Sequence, residues 1–275
     1  MPRRGFDNPR PGPLESDRMA RSRPSWQHAI ILGASSGIGA ALARRLAETG
    51  CRVALLARRE SELAGVADAI NGPGAASSPQ PLARPYVHDV TCTAEVEPLF
   101  ARIVDDLGGL DLVVYAAGVM PPVGEVEYSL EKDRQTVEVN LVGAIAWLNQ
   151  AARYFARTRT GTIVGVSSVA GDRGRRGYPV YGASKAALGA YLEALRHRLA
   201  RRGVTVVTVK PGPVDTRMSA HVRRRPFLIS ADRAAREILA AAGRGTPVAY
   251  VPRLWRPIMF AVRSLPHALF ARLDL

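Results

Sequence analysis

An α/β fold with a doubly wound, largely parallel sheet is predicted by three features of this 275-residue chain. Seven short runs of branched apolar residues recur along it. These runs are continuously apolar rather than alternating, which means burial on both faces, and alanine-rich stretches of helical periodicity fill most of the intervals.

In chain order the strand candidates are 28–32 ("HAIIL"), 52–57 ("RVALLA"), 85–88 ("PYVH"), 111–116 ("DLVVYA"), 161–167 ("GTIVGVS"), 204–209 ("VTVVTV") and 247–251 ("PVAYV"). Helical patterns cover 38–49, 93–107, 130–157, 180–200 and 231–242. "NGPGAASSPQP" at 71–81 reads as a surface loop rather than a linker, so residues 25–251 are expected to form one domain around a seven-stranded sheet. Residues 1–24 carry Pro2, Pro9, Pro11, Pro13 and Pro24 among arginines, and read as a disordered basic tail.

Residues 252–275 bring Trp255, Ile258, Met259, Val262, Leu265 and Leu269 to near-helical spacing beside Arg253, Arg256, Arg263 and Arg272. Pro257 and Pro266 predict a broken helix there. Such an amphipathic extension packs on its own domain, on an oligomer partner or on an anionic membrane.

The formal charge of +14 comes from arginine, since Lys132, Lys185 and Lys210 are the only lysines. It suits nucleic acid, anionic lipid or a phosphorylated ligand. No aromatic platform or recognition module accompanies it, so no nucleic-acid partner is expected. Cys51 and Cys92 are too few for a disulfide framework and fit a reducing, cytoplasmic setting. The five histidines are scattered, so no metal site is expected. No apolar run of about eighteen residues occurs, so neither a secretory signal nor a membrane span is expected.

"ILGASSGIGAALARRLAETG" sets Gly33, Gly37 and Gly39 between the first strand and the first helix. Glycines there allow close backbone approach, and the free amides at the helix start attract a dinucleotide pyrophosphate. The spacing is GxxxGxG rather than GxGxxG. At the end of the second strand the carboxylate that favours NAD is absent, and "LLARRE" offers Arg58, with Arg59 beside it. An arginine satisfies a ribose 2′-phosphate, so NADP(H) is preferred, with NAD(H) as the second option. Asp89, after the third strand, either caps the next turn or touches the adenine.

Tyr181 and Lys185 stand four residues apart on one helix face. A phenol with a pKa of about 10 is a poor proton carrier at neutral pH until a neighbouring cation stabilises its phenolate. Lys185 supplies that cation, which makes Tyr181 a proton donor to a carbonyl under reduction. At the carboxyl end of the fifth strand, either Ser167 or Ser168 has the chemistry to hold the same substrate oxygen.

"GASSGIG" (33–39), "DV" (89–90), "AAG" (116–118), Asn140 in "VEVNLVGA", "VSSVAG", "YGASK" (181–185) and "PGPVDT" (211–216) stand in an order that resembles the short-chain dehydrogenase/reductase family. The resemblance spans residues 28–216. It implies a single Rossmann-like domain, hydride exchange between nicotinamide and a carbonyl or alcohol carbon, and a homodimer or homotetramer joined through long helices. It chooses Ser168 as the oxygen anchor, with Tyr181 as acid/base and Lys185 as phenol tuner and ribose ligand. Asn140 would hold a helix locally open around a water. Cofactor contacts are implied for Ser35, Ser36 and Ile38 in the glycine turn, for Val90, Ala117 and Gly118, and for Pro211, Gly212, Val214 and Thr216. Leu32 stands where the family has threonine and Tyr115 where it has the first asparagine of "NNAG"; both departures bear on backbone bracing.

A narrower resemblance, in "GDRGRRGYPVYGASKAAL", "DTRMSAHVRRRPFLIS" and the C-terminal run, is to reductases of a 2-keto ribose carried on decaprenyl phosphate, which use NADH. Expected substrate contacts are Ser168, Tyr178, Tyr181, Met218 and Arg223, with Arg224, Arg225 and Phe227 in the same basic segment. The function expected is NADP(H)-dependent reduction of a ketone or ketosugar, small or lipid-linked. The alternatives are an alcohol or steroid dehydrogenase working in oxidation and a non-enzymatic nucleotide-binding scaffold.

Overall fold

The computed structural model describes residues 26–72, 81–222 and 224–272. The expected tail at 1–24 and the substrate contact assigned to Arg223 lie outside the described residues. Seven strands form one sheet: β1 (His28–Leu32), β2 (Arg52–Ala57), β3 (Ala83–Val87), β4 (Leu112–Tyr115), β5 (Thr162–Val166), β6 (Thr205–Pro211) and β9 (Val248–Val251). Their order is β3-β2-β1-β4-β5-β6-β9, and every neighbouring pair is parallel. The fold class read from the strand pattern is therefore the observed one.

Continuous apolar strands are buried on both sides because consecutive side chains point to opposite faces. Ile31, Leu55 and Val207 pack beneath α1 (Gly37–Ala47) and α7 (Ala231–Gly243), while Ile30, Val113 and Ile163 pack beneath α3 (Val96–Leu107), α5 (Gly143–Thr158) and α6 (Pro179–Leu199). α2 (Glu60–Asn71) links β2 to β3. α6 lies very close to β5: a Cβ at Gly165 would stand 2.3 Å from the Leu192 side chain. The N-terminal half of α6 is held over the carboxyl end of β5 by Ser167 Oγ, which donates to Lys185 O, and by Lys185 Nζ, which donates to Val166 O.

The chain runs outward from β1 through β3, then crosses to the other side of β1 to form β4. At such a reversal the connecting loops diverge and leave a crevice beyond the strand ends. Leu32 and Tyr115 are the last register partners before it.

Two local features depart from the sequence reading, and a third follows it at Pro266 but not at Pro257. The helix expected over 130–157 is interrupted: α4 (Leu130–Val137) passes through a π-turn at Glu138–Val142 before α5 begins. The cause is a carbonyl taken out of the helical ladder, since the Tyr115 hydroxyl donates to Val139 O at 2.5 Å. Two further short strands, β7 (Val214–Asp215) and β8 (Ile229–Ser230), pair in parallel and bracket the basic segment between them. Beyond β9, α8 (Trp255–Ser264) accepts Pro257 in its first turn, where proline costs no hydrogen bond, and a short α9 (His267–Phe270) follows Pro266. Trp255 and Met259 pack on Val169, while Phe260 is 75% exposed and Leu269 53% exposed.

Candidate active site

A cleft of about 680 Å³ opens at the carboxyl ends of the sheet, and its walls hold the glycine turn, the Ser168–Tyr181–Lys185 group and the Pro211–Thr216 segment. Gly33 has φ +81°, and a Cβ there would stand 2.6 Å from Ala117 N; one at Gly39 would stand 2.2 Å from Gly33 O. Only glycine lets this turn close so tightly on β4. Ser36 starts α1 in extended geometry without capping it, which leaves the first-turn amides facing the cleft. An open helix start behind a glycine cradle fits a dinucleotide pyrophosphate.

Both arginines after β2 line this cleft, in different roles. Arg59 donates to Ser35 Oγ and Ser36 Oγ, both at 2.9 Å, and pairs with Glu62 at 3.1 Å. Arg58 pairs with Asp89 at 3.5 Å. Asp89 also accepts from the Thr91 amide and hydroxyl, so of its two expected roles the turn cap is the one seen. Those bonds and Arg58 hold its carboxyl below the usual range against the opposing effect of burial, which is the largest contribution. Val90, rather than Asp89, borders the cleft.

The first turns of α6 carry Tyr181 and Lys185. Lys185 Nζ lies 5.8 Å from the Tyr181 ring centroid and donates to Val166 O at 3.0 Å. Burial disfavours its ammonium and lowers its pKa to about 8. Burial raises the Tyr181 phenol, and the hydrogen bond with Ser168 pulls it back down. Ser167 donates its hydroxyl to Lys185 O at 2.7 Å, whereas Ser168 accepts from Ala170 N and meets Tyr181. Geometry thus separates two serines that residue type alone left equivalent.

Asn140 stands behind the cleft wall, in the π-turn and fully buried. Its Oδ1 accepts from Val119 N at 2.8 Å, and its Nδ2 donates to Val119 O at 3.0 Å and to Ser184 Oγ at 3.1 Å. Ser184 in turn donates to Tyr181 O. Asn140 therefore ties the loop after β4 to the start of α6. Gly118 lies between them: a Cβ there would be 3.2 Å from Asn140 Oδ1 and 3.4 Å from Lys185 Nζ.

Ala117, Tyr178 and Met218 also line the cleft, and Tyr178 stacks edge-on with His221 at 5.9 Å. A smaller hollow of about 280 Å³ lies against Tyr178 and Tyr181, walled by the 121–128 loop. Three contributors escaped the sequence reading. Tyr115, noted in the sequence only as a departure from the family's asparagine, braces the π-turn, and its signal was that departure. Trp255 and Arg175 line the cleft from the C-terminal extension and from the loop after β5, and no local pattern marks either one.

Fold and cleft together define a Rossmann-like oxidoreductase. The profile described as short chain dehydrogenase matches residues 27–226, and the chain belongs to the short-chain dehydrogenase/reductase family. It is 34% identical over 248 residues to an uncharacterised oxidoreductase of Myxococcus xanthus, covering 90% of this chain and 95% of that one. Among solved structures it is similar to a short-chain dehydrogenase of Burkholderia cenocepacia in complex with NADP: TM-score 0.76, 28% identity, 91% of this chain and 98% of that one. It is also similar to an actinorhodin polyketide ketoreductase with NADPH: TM-score 0.71, 28% identity, 82% and 95% covered.

Proposed function

We propose that this chain is an NADP(H)-dependent reductase of a ketone or ketosugar. What carries the reading is one cleft lined both by the glycine turn with Arg58 and Arg59 and by Ser168, Tyr181 and Lys185. The similar Burkholderia protein and the ketoreductase were both solved with the phosphorylated dinucleotide, which supports NADP(H) over NAD(H).

When bound, the dinucleotide supplies a hydride from its nicotinamide ring. Gly33–Gly39 would hold its pyrophosphate, Arg59 and Arg58 its 2′-phosphate, and Lys185 its ribose hydroxyls. Val90, Ala117, Gly118, Pro211, Gly212, Val214 and Thr216 would border the rest. Tyr181 donates its phenolic proton to the substrate oxygen, and Ser168 hydrogen-bonds that oxygen as charge builds on it. The Lys185 ammonium stabilises the phenolate left behind. Asn140 positions Val119 and the first turn of α6, and holds the water that returns a proton through Lys185. Tyr178 and Met218 flank the substrate.

A lipid-linked ketosugar is the finer form of this reading. It draws support from the exposed Phe260 and Leu269 beside the arginines of residues 253–272, a surface suited to an anionic bilayer. No helix among the described residues is long and apolar enough to cross a membrane. Assembly as a homodimer or homotetramer through α5 and α6, in the cytoplasm, completes the proposal; light scattering measures the assembly state.

The test is Tyr181→Phe. Ketone-dependent NADPH oxidation should fall roughly 10²- to 10⁴-fold while NADPH binding, followed by its fluorescence, persists. Unchanged turnover would remove Tyr181 from the proton-donor role. A screen of ketones and polyprenyl-phosphate ketosugars with NADPH and NADH names the substrate.

A further inference from the structure

The loop between β5 and α6 carries three arginines with different surroundings. Arg173 donates to Val262 O and Leu265 O, both at 2.6 Å, and stacks on Phe270 at 4.1 Å. Arg176 donates to Ala271 O at 3.3 Å. These two clamp α8 and α9 onto the domain. Lys210 and Tyr250 both bond to the buried Asp172, which begins the same loop. Arg175 is different. Among the described residues its guanidinium donates only to the Met259 thioether, at 4.0 Å, its buried Nε has no acceptor, and Asp172 acts on it through space without a hydrogen bond.

A second orphan lies in the same cleft. Trp255 is 6% exposed, and its indole N–H is buried without a partner. Its Nε1 sits so close to Gly212 that a Cβ there would be 1.9 Å away, beside the segment proposed to border the nicotinamide. Arg175 and Trp255 line the cleft together with Ser168, Tyr178 and Tyr181. Partly burying a guanidinium with no carboxylate hydrogen-bonded to it is costly, and an indole N–H in a protein interior normally finds an acceptor. Two donors left in this state by one reaction cleft mark the place of an absent acceptor. Burial also depresses the Arg175 pKa, and the Asp172 carboxylate, acting through space, offsets only part of that effect.

We propose that the carbonyl substrate bears an anionic oxygen group, a phosphate ester or a carboxylate, which Arg175 binds, with Trp255 as the neighbouring neutral donor. This rests on the reductase reading above and deepens it. Arginine suits either group because its planar fork matches two oxygens at once. The carbonyl then lies at Tyr181, and the charged end lies toward the loop and α8. The C-terminal extension thereby becomes part of the substrate site, because α8 supplies Trp255 and Met259.

The full chain saturated with NADP⁺, which blocks the pyrophosphate turn, is titrated calorimetrically with phenyl phosphate, benzoate and neutral benzyl alcohol. At least one anion should bind roughly ten- to a hundredfold more tightly than the alcohol, and the tighter of the two identifies the group. In Arg175→Gln that preference should collapse while NADPH affinity is unchanged. Equal binding of anion and alcohol, or a preference that survives Arg175→Gln, would overturn the proposal. Arg175→Met should leave the melting temperature unchanged or raise it, since a partly buried charge with no hydrogen-bonded carboxylate is removed. A fall of several degrees would make Arg175 a clamp like its neighbours and overturn the site. Failure of NADPH to bind the unmodified chain counts against the reductase reading instead.

Discussion

The Tyr115 hydroxyl donates to the Val139 carbonyl at 2.5 Å, inside the π-turn that presents Asn140. Both partners are buried, so Tyr115→Phe strands a carbonyl and should cost about 1–2 kcal/mol, measured by urea denaturation. Because Asn140 grips Val119 and Ser184 from this turn, turnover should fall while KM for NADPH holds.

Arg59 bridges Ser35 and Ser36 and pairs with Glu62 at 3.1 Å, which fixes it against the glycine turn, while the half-exposed Arg58 pairs with Asp89 at 3.5 Å. Arg59→Ala should therefore raise KM for NADPH relative to NADH by roughly tenfold. Arg58→Ala should raise the same ratio by a comparable factor, since both arginines line the cleft. Steady-state kinetics with the two nucleotides compare them directly.

Lys185 is buried, and its pKa is lowered to about 8 from an ordinary 10.5. Between those values the unfolded chain binds more protons than the folded one, so this group makes stability rise with pH across that window. Thermal melts should show the rise, and Lys185→Met should remove it. Activity runs the other way. Phenolate stabilisation needs the ammonium, so kcat/KM for reduction should decline above about pH 8.

Asp172 has a side chain only 1% exposed, and it holds Lys210 and Tyr250 at the base of the loop that clamps α8. Asp172→Ala leaves a lysine without its counter-charge and should cost about 3–5 kcal/mol in chemical denaturation. The C-terminal helices should then become cleavable by protease at lower concentrations than in the unmodified chain.

Much of this molecule was legible as local pattern. Strand runs such as "HAIIL" and "GTIVGVS" declare burial on both faces, and the glycine turn declares close approach, because each depends only on neighbours along the chain. The Tyr181–Lys185 pair is equally local, since helical spacing alone sets both on one face. The helix over 130–157 misled for the opposite reason: its interruption depends on a hydroxyl from β4, twenty-four residues away.

Sequence by itself determined the α/β class, the position of the nucleotide turn and the residue types available for proton transfer. Tertiary structure decided partnership. It turned Ser167 toward the Lys185 backbone and Ser168 toward Tyr181, tied Arg58 to Asp89 and Arg59 to two serines, and left the Arg175 Nε and the Trp255 indole N–H without acceptors. Periodicity encodes which face a side chain occupies. Which atom it meets there is set by elements that arrive from elsewhere in the chain, and no local spacing records their arrival.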